Sequence, residues 1–293
     1  MTSLGLDIGG SSVKAALLRD GSAVALARSA TYDRPGAARL SDALREAVDA
    51  LGPQPDGPPE AVGLCVPGVR DPGSTVVRAS LNVPGLVGAD LRDLVAGVFR
   101  AASAPRRLTV TTDAHAAAVD VQRARGIAGR LLALSLGTGV GACVLDDGVA
   151  LRVTGDGPGH LGQIDVSLDD AAPRGADGAL GTLEAYIGLP ALTRRLGADH
   201  AAIAVSLTPD DPGVRALVRA VRIAHAVYRP DEVCLLGGVG IAMRPLLASL
   251  RERIDDGLTS LARPGWRLTT GDDLHHAARG AARLAEGSGD GRK

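Results

Sequence analysis

Apolar positions along the chain fall into two blocks of the same design. Residues 4–21 read LGLDIGGSSVKAALLRDG, and residues 132–148 read LALSLGTGVGACVLDDG. At a constant offset of 127 residues, Gly10, Val13, Ala15, Leu18, Asp20 and Gly21 fall on Gly137, Val140, Ala142, Leu145, Asp147 and Gly148. Each block predicts an apolar strand, a Gly/Ser/Thr turn, a second strand, and an Asp-Gly turn into a third strand. The chain reads as an internal duplication.

Between and after the blocks the pattern alternates helix with strand. Leu40, Ala43, Leu44, Val48 and Leu51 recur at helical spacing within 36–51, and a Pro/Gly-rich surface loop at 52–60 leads into a strand at 61–66. A strand is predicted in STVVRAS, a helix from Asp90 to Ala102, and a β-branched strand in RLTVTT that runs into an alanine-rich helix ending before Gly126. Thr182 can cap a helix carrying Leu183, Glu184 and Tyr186. A helix spans Asp211 to Val227, and DEVCLLGGVGIAMRPLLASLRERI reads as strand, glycine turn, helix. The last helix starts near Asp273, and GSGDGRK is a frayed tail.

A length of 293 residues fits about two domains. Hydrophobic residues make up 45% of the chain but aromatics only 2%, so the core must be Ala, Val and Leu, and base stacking on aromatic platforms is not expected. A net charge of −1 leaves no electrostatic footprint for nucleic acid or a membrane surface. Cys65, Cys143 and Cys234 sit far apart in apolar runs, which predicts buried reduced thiols rather than a disulfide framework or metal-ligand spacing. With no leader before Leu4 and no apolar run long enough to span a bilayer, a soluble cytoplasmic protein is expected.

Candidate chemistry gathers at the glycine turns. Consecutive N–H groups in such turns form anion sites, and two related turns facing each other would clamp phosphates between two domains. Asp7 ends the first strand, where a carboxylate either holds a hydrated divalent cation or bonds turn amides. Lys14 is either a phosphate contact or a solvated strand lysine. Asn82 is a turn former or a ligand in the loop SLNVPGL. Asp113 stands where a strand meets a helix, as an N-cap or as a chemical group at the carboxyl end of a sheet strand. Gly237, Gly238 and Gly240 between a strand and a helix suit a nucleotide's phosphates or the passage of its adenosine.

DIGGSSVKAAL, PGVRDPGSTVVRASLNVPGL, TTDAHAAA, LSLGTGVGACVLDDG, GHLGQIDV, GTLEAY, LLGGVGIA and GDDLHHAARGAARLA occur in the order found in ROK-family sugar kinases, which the chain resembles over nearly its whole length. The resemblance implies an α/β fold of two duplicated ribonuclease-H-like domains of the actin-like ATPase type, closing on a cleft. The first domain would take residues 1–112 plus 273–288, and the second 113–272. The cleft would bring ATP and magnesium to a hexose hydroxyl. Gly9, Gly10 and Ser11 match the first phosphate motif, Gly137, Thr138 and Gly139 the second, and Gly237 and Gly238 the adenosine motif. Asp7 would hold magnesium through water. Lys14 is similar to its counterpart in polyphosphate-using glucokinases, which leaves polyphosphate open as the donor. Asp113 matches the general base, with Asn82, Thr112, His160, Gln163 and Glu184 at sugar-binding positions. A homodimer is also implied.

Departures from the family pattern narrow the expectation. Thr112-Asp113-Ala114-His115 stands where members read Asn-Asp-Ala-Asn, His160 replaces a sugar-contacting glutamate, and Gln163 a zinc-binding histidine. The structural cysteines correspond to Gly175, Asp177 and Thr182, so no structural zinc is expected. A site that hydrogen-bonds a hydroxyl rejects analogues lacking it, so these changes point to a sugar other than glucose, such as an amino or deoxy hexose. Loss of the glutamate at His160 disfavours a cationic substituent beside it, although a neutral amine can bond to imidazole. Two other classes stay open: a sugar-binding regulator or pseudo-kinase without turnover, and a nucleotide-dependent interaction protein.

Overall fold

The computed structural model describes residues 1–53, 59–71, 73–99, 105–153, 159–197, 203 and 206–287. Parts of the expected loop at 52–60, of the helix expected to reach Ala102, of the glycine-dense loop before His160, and of the C-terminal tail lie outside the described residues. The first half runs β1 (Thr2–Ile8), β2 (Val13–Arg19), β3 (Ser22–Arg28), α1 (Ala37–Asp49), β4 (Ala61–Cys65), β5 (Val69–Arg70), β6 (Val77–Ala79), α2 (Leu91–Ala96), β7 (Arg107–Thr111) and α3 (Asp113–Arg125). The second half runs β8 (Arg130–Leu136), β9 (Val140–Asp146), β10 (Val149–Ala150), α4 (Leu183–Ile187), α5 (Leu189–Leu196), α6 (Pro212–Tyr228), β11 (Glu232–Leu236), α7 (Gly237–Ala242), α8 (Leu247–Asp255), β12 (Arg267–Thr270) and α9 (His276–Gly287). Among the described residues no helix is long and apolar enough to cross a membrane.

The duplication is visible in the sheets. One sheet has the order β3-β2-β1-β4-β7 and the other β10-β9-β8-β11-β12; in each, an antiparallel three-stranded meander continues into two parallel strands. Both Asp-Gly turns take the positive φ pair that matches strand twist, with Asp20 at 48° and Gly21 at 76°, and Asp147 at 46° and Gly148 at 86°. The repeat is unequal at one place. Four residues separate β1 from β2 and three separate β8 from β9, so the offset of 127 holds after the turn and becomes 128 before it.

The chain forms two compact units: Met1–Asp120 with the C-terminal segment from His275, and Val121–Leu274. The core of the first holds Leu4, Leu6, Ile8, Leu40, Leu44 and Leu64; that of the second holds Leu132, Leu134, Leu217, Val221 and Trp266. The spacing Leu40, Ala43, Leu44, Ala47 puts one face of α1 into the first core. Helix α9 lies directly on the first sheet because β1 and β4 carry glycines there: a Cβ on Gly5 would lie 1.8 Å from the Ala278 carbonyl oxygen, and one on Gly63 1.9 Å from that of Ala281. The end of α9 toward α3 is fastened by charge. The buried Asp120 carboxylate accepts from Arg279 Nε at 2.8 Å and Arg283 Nε at 2.9 Å, and lies 2.7 Å from His276 Nδ1. Burial acts to raise the Asp120 pKa, but the His276 hydrogen bond and the Arg279 charge outweigh it and hold the group below the ordinary aspartate value.

Two helices depart from the sequence expectation. Helix α2 is capped by Asp90, whose Oδ1 accepts from Arg92 N at 2.8 Å, and it stops at Gly97 after six residues rather than continuing to Ala102. Glycine carries the lowest helix propensity after proline and exposes the backbone there. Helix α9 begins at His276, three residues after Asp273.

Candidate functional site

In the first unit the candidate groups line the carboxyl ends of the parallel strands. Asp7 of β1, Cys65 of β4 and Thr111 of β7 form one row across the sheet. With neighbouring strands roughly 5 Å apart, β1 and β7 are separated by about 10 Å, and Asp113 follows Thr111 by two residues. The Cys65 thiol senses both carboxylates: burial first, then the charges of Asp7 and Asp113, push its pKa well up.

The first glycine turn is closed on itself and braced from outside. Gly9 N–H donates to the Ser12 carbonyl at 3.0 Å, Tyr32 N–H to the Ser11 carbonyl at 2.9 Å, and the Tyr32 hydroxyl to the Gly9 carbonyl at 2.7 Å. Arg28 Nε donates to the buried Ser12 hydroxyl at 2.9 Å. Burial, then the nearby Asp7 charge, raise the Tyr32 pKa far above the ordinary phenol value, so the hydroxyl stays a donor. Lys14, opposite Asp7 across the hairpin, places its Nζ 2.9 Å from Asp7 Oδ2 and within 3.1 Å of where a Gly9 Cβ would stand. Lys14 therefore covers the turn and is neither remote from it nor simply solvated.

Thr112, not Asp113, caps α3. Its hydroxyl accepts from His115 N–H at 3.3 Å, the bond an N-cap residue makes to the third residue of its helix. The half-buried Asp113 is the first helical residue, and its Oδ1 accepts from Ala114 N–H at 2.8 Å. At this end of the helix the backbone dipoles favour a carboxylate. His115 turns back to Thr111, with Nδ1 3.0 Å from Oγ1. Asn82 is half-buried in the loop after β6, and in the same loop the Gly85 N–H donates to the Pro35 carbonyl at 2.9 Å, just before α1.

In the second unit the candidates converge on Val140, the first residue after the second turn. Gly137 N–H donates to the Gly139 carbonyl at 3.0 Å, and Leu189 N–H to the Gly137 carbonyl at 2.8 Å. Glu184, in the first turn of α4, accepts from Val140 N–H at 2.8 Å through Oε2, and Thr182 caps this helix through Ala185 N–H at 3.1 Å. The turn Leu161–Gln163 packs so tightly that a Cβ on Gly162 would lie 2.3 Å from the Val140 carbonyl oxygen; His160 and Gln163, both exposed, flank that contact. Gly237 follows β11 directly into α7 with φ at 73°, and a Cβ there would lie 2.4 Å from the Leu136 carbonyl oxygen. Glycine at 237 thus lets the β11–α7 turn sit against the end of β8, beside Gly137. Among the described residues, the N–H groups of Gly10, Ser11, Thr138 and Gly139 donate to no protein acceptor. Taken separately, each turn offers two backbone donors suited to phosphate oxygens, and in the first unit the Asp7 carboxylate suits a hydrated divalent cation.

Gly175, Asp177 and Thr182, at the positions of the family's cysteines, lie in a turn closed by hydrogen bonds. Gly175 N–H donates to the Ala179 carbonyl at 2.8 Å, Ala179 N–H to Asp177 Oδ1 at 3.1 Å, and Arg174 Nη1 to the Gly178 carbonyl at 2.9 Å. No group of three or more His, Cys, Asp or Glu residues able to hold a metal occurs among the described residues.

A sequence profile of the ROK family matches residues 3–288. The structure is similar to a ROK hexokinase from Thermus thermophilus, at 25% identity over 98% of each chain with a TM-score of 0.69. It is similar to a ROK family glucokinase from Streptomyces griseus in complex with glucose and AMPPNP, at 23% identity over 98% of this chain and 99% of that one, TM-score 0.75. A ROK family transcriptional regulator, a homolog of the E. coli MLC protein, aligns at 18% identity over 97% of this chain and 78% of its own, TM-score 0.71. A search of curated proteins returned no match. The two-domain actin-like ATPase fold expected from the motifs is the fold of these structures.

Proposed function

The chain belongs to the ROK family, and on that premise we propose that it is an ATP-dependent sugar kinase. It phosphorylates the primary, 6-hydroxyl of a hexose or modified hexose such as an amino sugar, with Asp113 as general base. The family includes sugar kinases and also MLC-type regulators. The observation that carries the enzymatic reading is the capping of α3 by Thr112, so that the N-cap bond does not account for an aspartate at position 113.

A sugar hydroxyl is a poor nucleophile, and a carboxylate that takes its proton as the phosphoryl bond forms contributes about 10² to 10⁴ in rate. ATP bound with magnesium supplies the terminal phosphoryl group and neutralises the charge that develops on it. Gly10, Ser11, Thr138 and Gly139 bind the phosphates through backbone N–H groups, Gly9 and Gly137 close the two turns on themselves, Gly237 and Gly238 pass the adenosine, and Asp7 holds the metal through water. Lys14 adds a positive charge at the first turn, which also suits inorganic polyphosphate as donor. Asn82, Thr112, His160, Gln163 and Glu184 orient the sugar. Glu184 has one carboxylate oxygen on Val140 N–H, so a sugar hydroxyl bound to the other would be positioned against the second phosphate turn.

The reading is tested by ATP consumption with magnesium across glucose, mannose, their N-acetyl forms, and 2- and 3-amino hexoses, with polyphosphate as a second donor. One preferred sugar, phosphorylated at its primary hydroxyl, is expected. Binding of a sugar without turnover by either donor would overturn the kinase and leave the regulator, a reading that the replaced groups at 160 and 163 favour.

A further inference from the structure

Within the second unit, away from the residues assigned to phosphotransfer, one cavity combines features that point to a ligand. Its volume is about 630 Å³, and it lies between α6 and the segment that follows α8. Small-molecule sites span roughly 300–1,000 Å³. Arg215, Arg219 and Arg222, on successive turns of one face of α6, line it together with Arg253 of α8, and no acidic residue lines it. Three of these side chains are already held in place. Arg219 donates to the Ser167 carbonyl, Arg222 Nε to the Gly257 carbonyl at 2.9 Å, and Arg253 to the Pro209 carbonyl at 3.0 Å and to Asp210 at 2.7 Å. Each guanidinium has five N–H donors, so anchoring orients these groups while leaving donors for a ligand. Asp210 pairs with Arg253.

A second observation lies in the wall of the same cavity. His225, 1% exposed, lines it, and neither ring nitrogen has a hydrogen-bond partner. Buried polar atoms are nearly always paired, and such a pair of exceptions on one ring calls for an explanation. The neutral imidazole offers one donor and one acceptor, the complement of a hydroxyl group. Val218 and Ile223 add apolar surface to the same lining.

We propose that this cavity binds an organic phosphate. The phosphate sits on the arginine face, where planar guanidinium groups match its oxygens bidentately, and an uncharged, hydroxyl-bearing body lies over Val218 and Ile223 and reaches His225. The site does not rest on the phosphotransfer reading.

Trp266, the sole tryptophan, packs edge-on against His225 with ring centroids 4.4 Å apart and reports on the cavity. Glucose 6-phosphate, inorganic tripolyphosphate and sulfate are titrated at matched ionic strength, followed by Trp266 fluorescence and calorimetry. The same titrations are run on the Arg215→Ala/Arg219→Ala double variant, whose two side chains are exposed. Saturable binding of glucose 6-phosphate is expected, at least tenfold weaker in the double variant. Equal or tighter binding of tripolyphosphate or sulfate at this site overturns the choice of an organic phosphate. No binding, or binding unaffected by the double variant, overturns the site.

Discussion

Lys14 Nζ lies 2.9 Å from Asp7 Oδ2, directly across the β1–β2 hairpin, and the two side chains are only 15% and 7% exposed. The pair stands at the first glycine turn, so under the proposed function one contact would serve both stability and donor binding. Removing one partner of a largely buried pair leaves the other charge uncompensated. Lys14→Met is therefore expected to cost about 3–5 kcal/mol of stability, with a larger rise in the KM for polyphosphate than for ATP. Thermal unfolding and steady-state kinetics with both donors check this; equal KM changes would argue that Lys14 acts through Asp7 alone.

Tyr32 braces the same turn by donating to the Gly9 carbonyl. Tyr32→Phe keeps the ring and removes one hydrogen bond, a change of about 1 kcal/mol. The expected result is a several-fold higher KM for ATP with kcat nearly unchanged, because the residue orders the turn without touching the acceptor sugar.

Acid should weaken the second unit. Burial lowers the His225 pKa from 6.5 to about 4, against the Asp255 charge, with Arg251 assisting. Between these values the unfolded chain binds a proton that the folded chain does not, so stability rises with pH across that window. Stability contributed by the neutral ring is complete above about pH 6.5 and is lost as pH falls to about 4, by about 3 kcal/mol in total. Urea unfolding at pH 7 and pH 4.5 measures it, and His225→Leu should flatten the difference.

Helix α9 can rest on β4 only because residue 63 lacks a side chain. Gly63→Ala would place a methyl carbon 1.9 Å from the Ala281 carbonyl oxygen, a contact that backbone atoms must move to relieve. A loss of at least about 3 kcal/mol is expected from such overpacking, and Tm against wild type measures it.

Much of this was legible from local pattern. The Asp-Gly turns, the α1 face and the two meanders follow from short-range rules, because each depends on residues within one turn or hairpin. Lys14 was ambiguous in sequence, since strand alternation does not say whether a lysine reaches along its own face to the facing aspartate. Tyr32 carried no signal at all: it joins the site through a fold-back after β3 that brings it to Gly9, 23 residues away. The sequence leaves Asp113 open between a cap and a chemical group because Thr112 and Asp113 are both good capping residues, and only the hydrogen bond to His115 separates them. The end of α2 was missed because apolar residues continue past Gly97, while the backbone stops there.

The most direct test of the central claim is phosphoryl transfer by Asp113→Asn on the preferred sugar. Asparagine retains a side-chain oxygen for Ala114 N–H but cannot take a proton at neutral pH. The account predicts an unchanged Tm, retained sugar binding and a kcat lower by about 10²-fold or more. A variant that turns over like the wild type would contradict the assignment of Asp113 as the base.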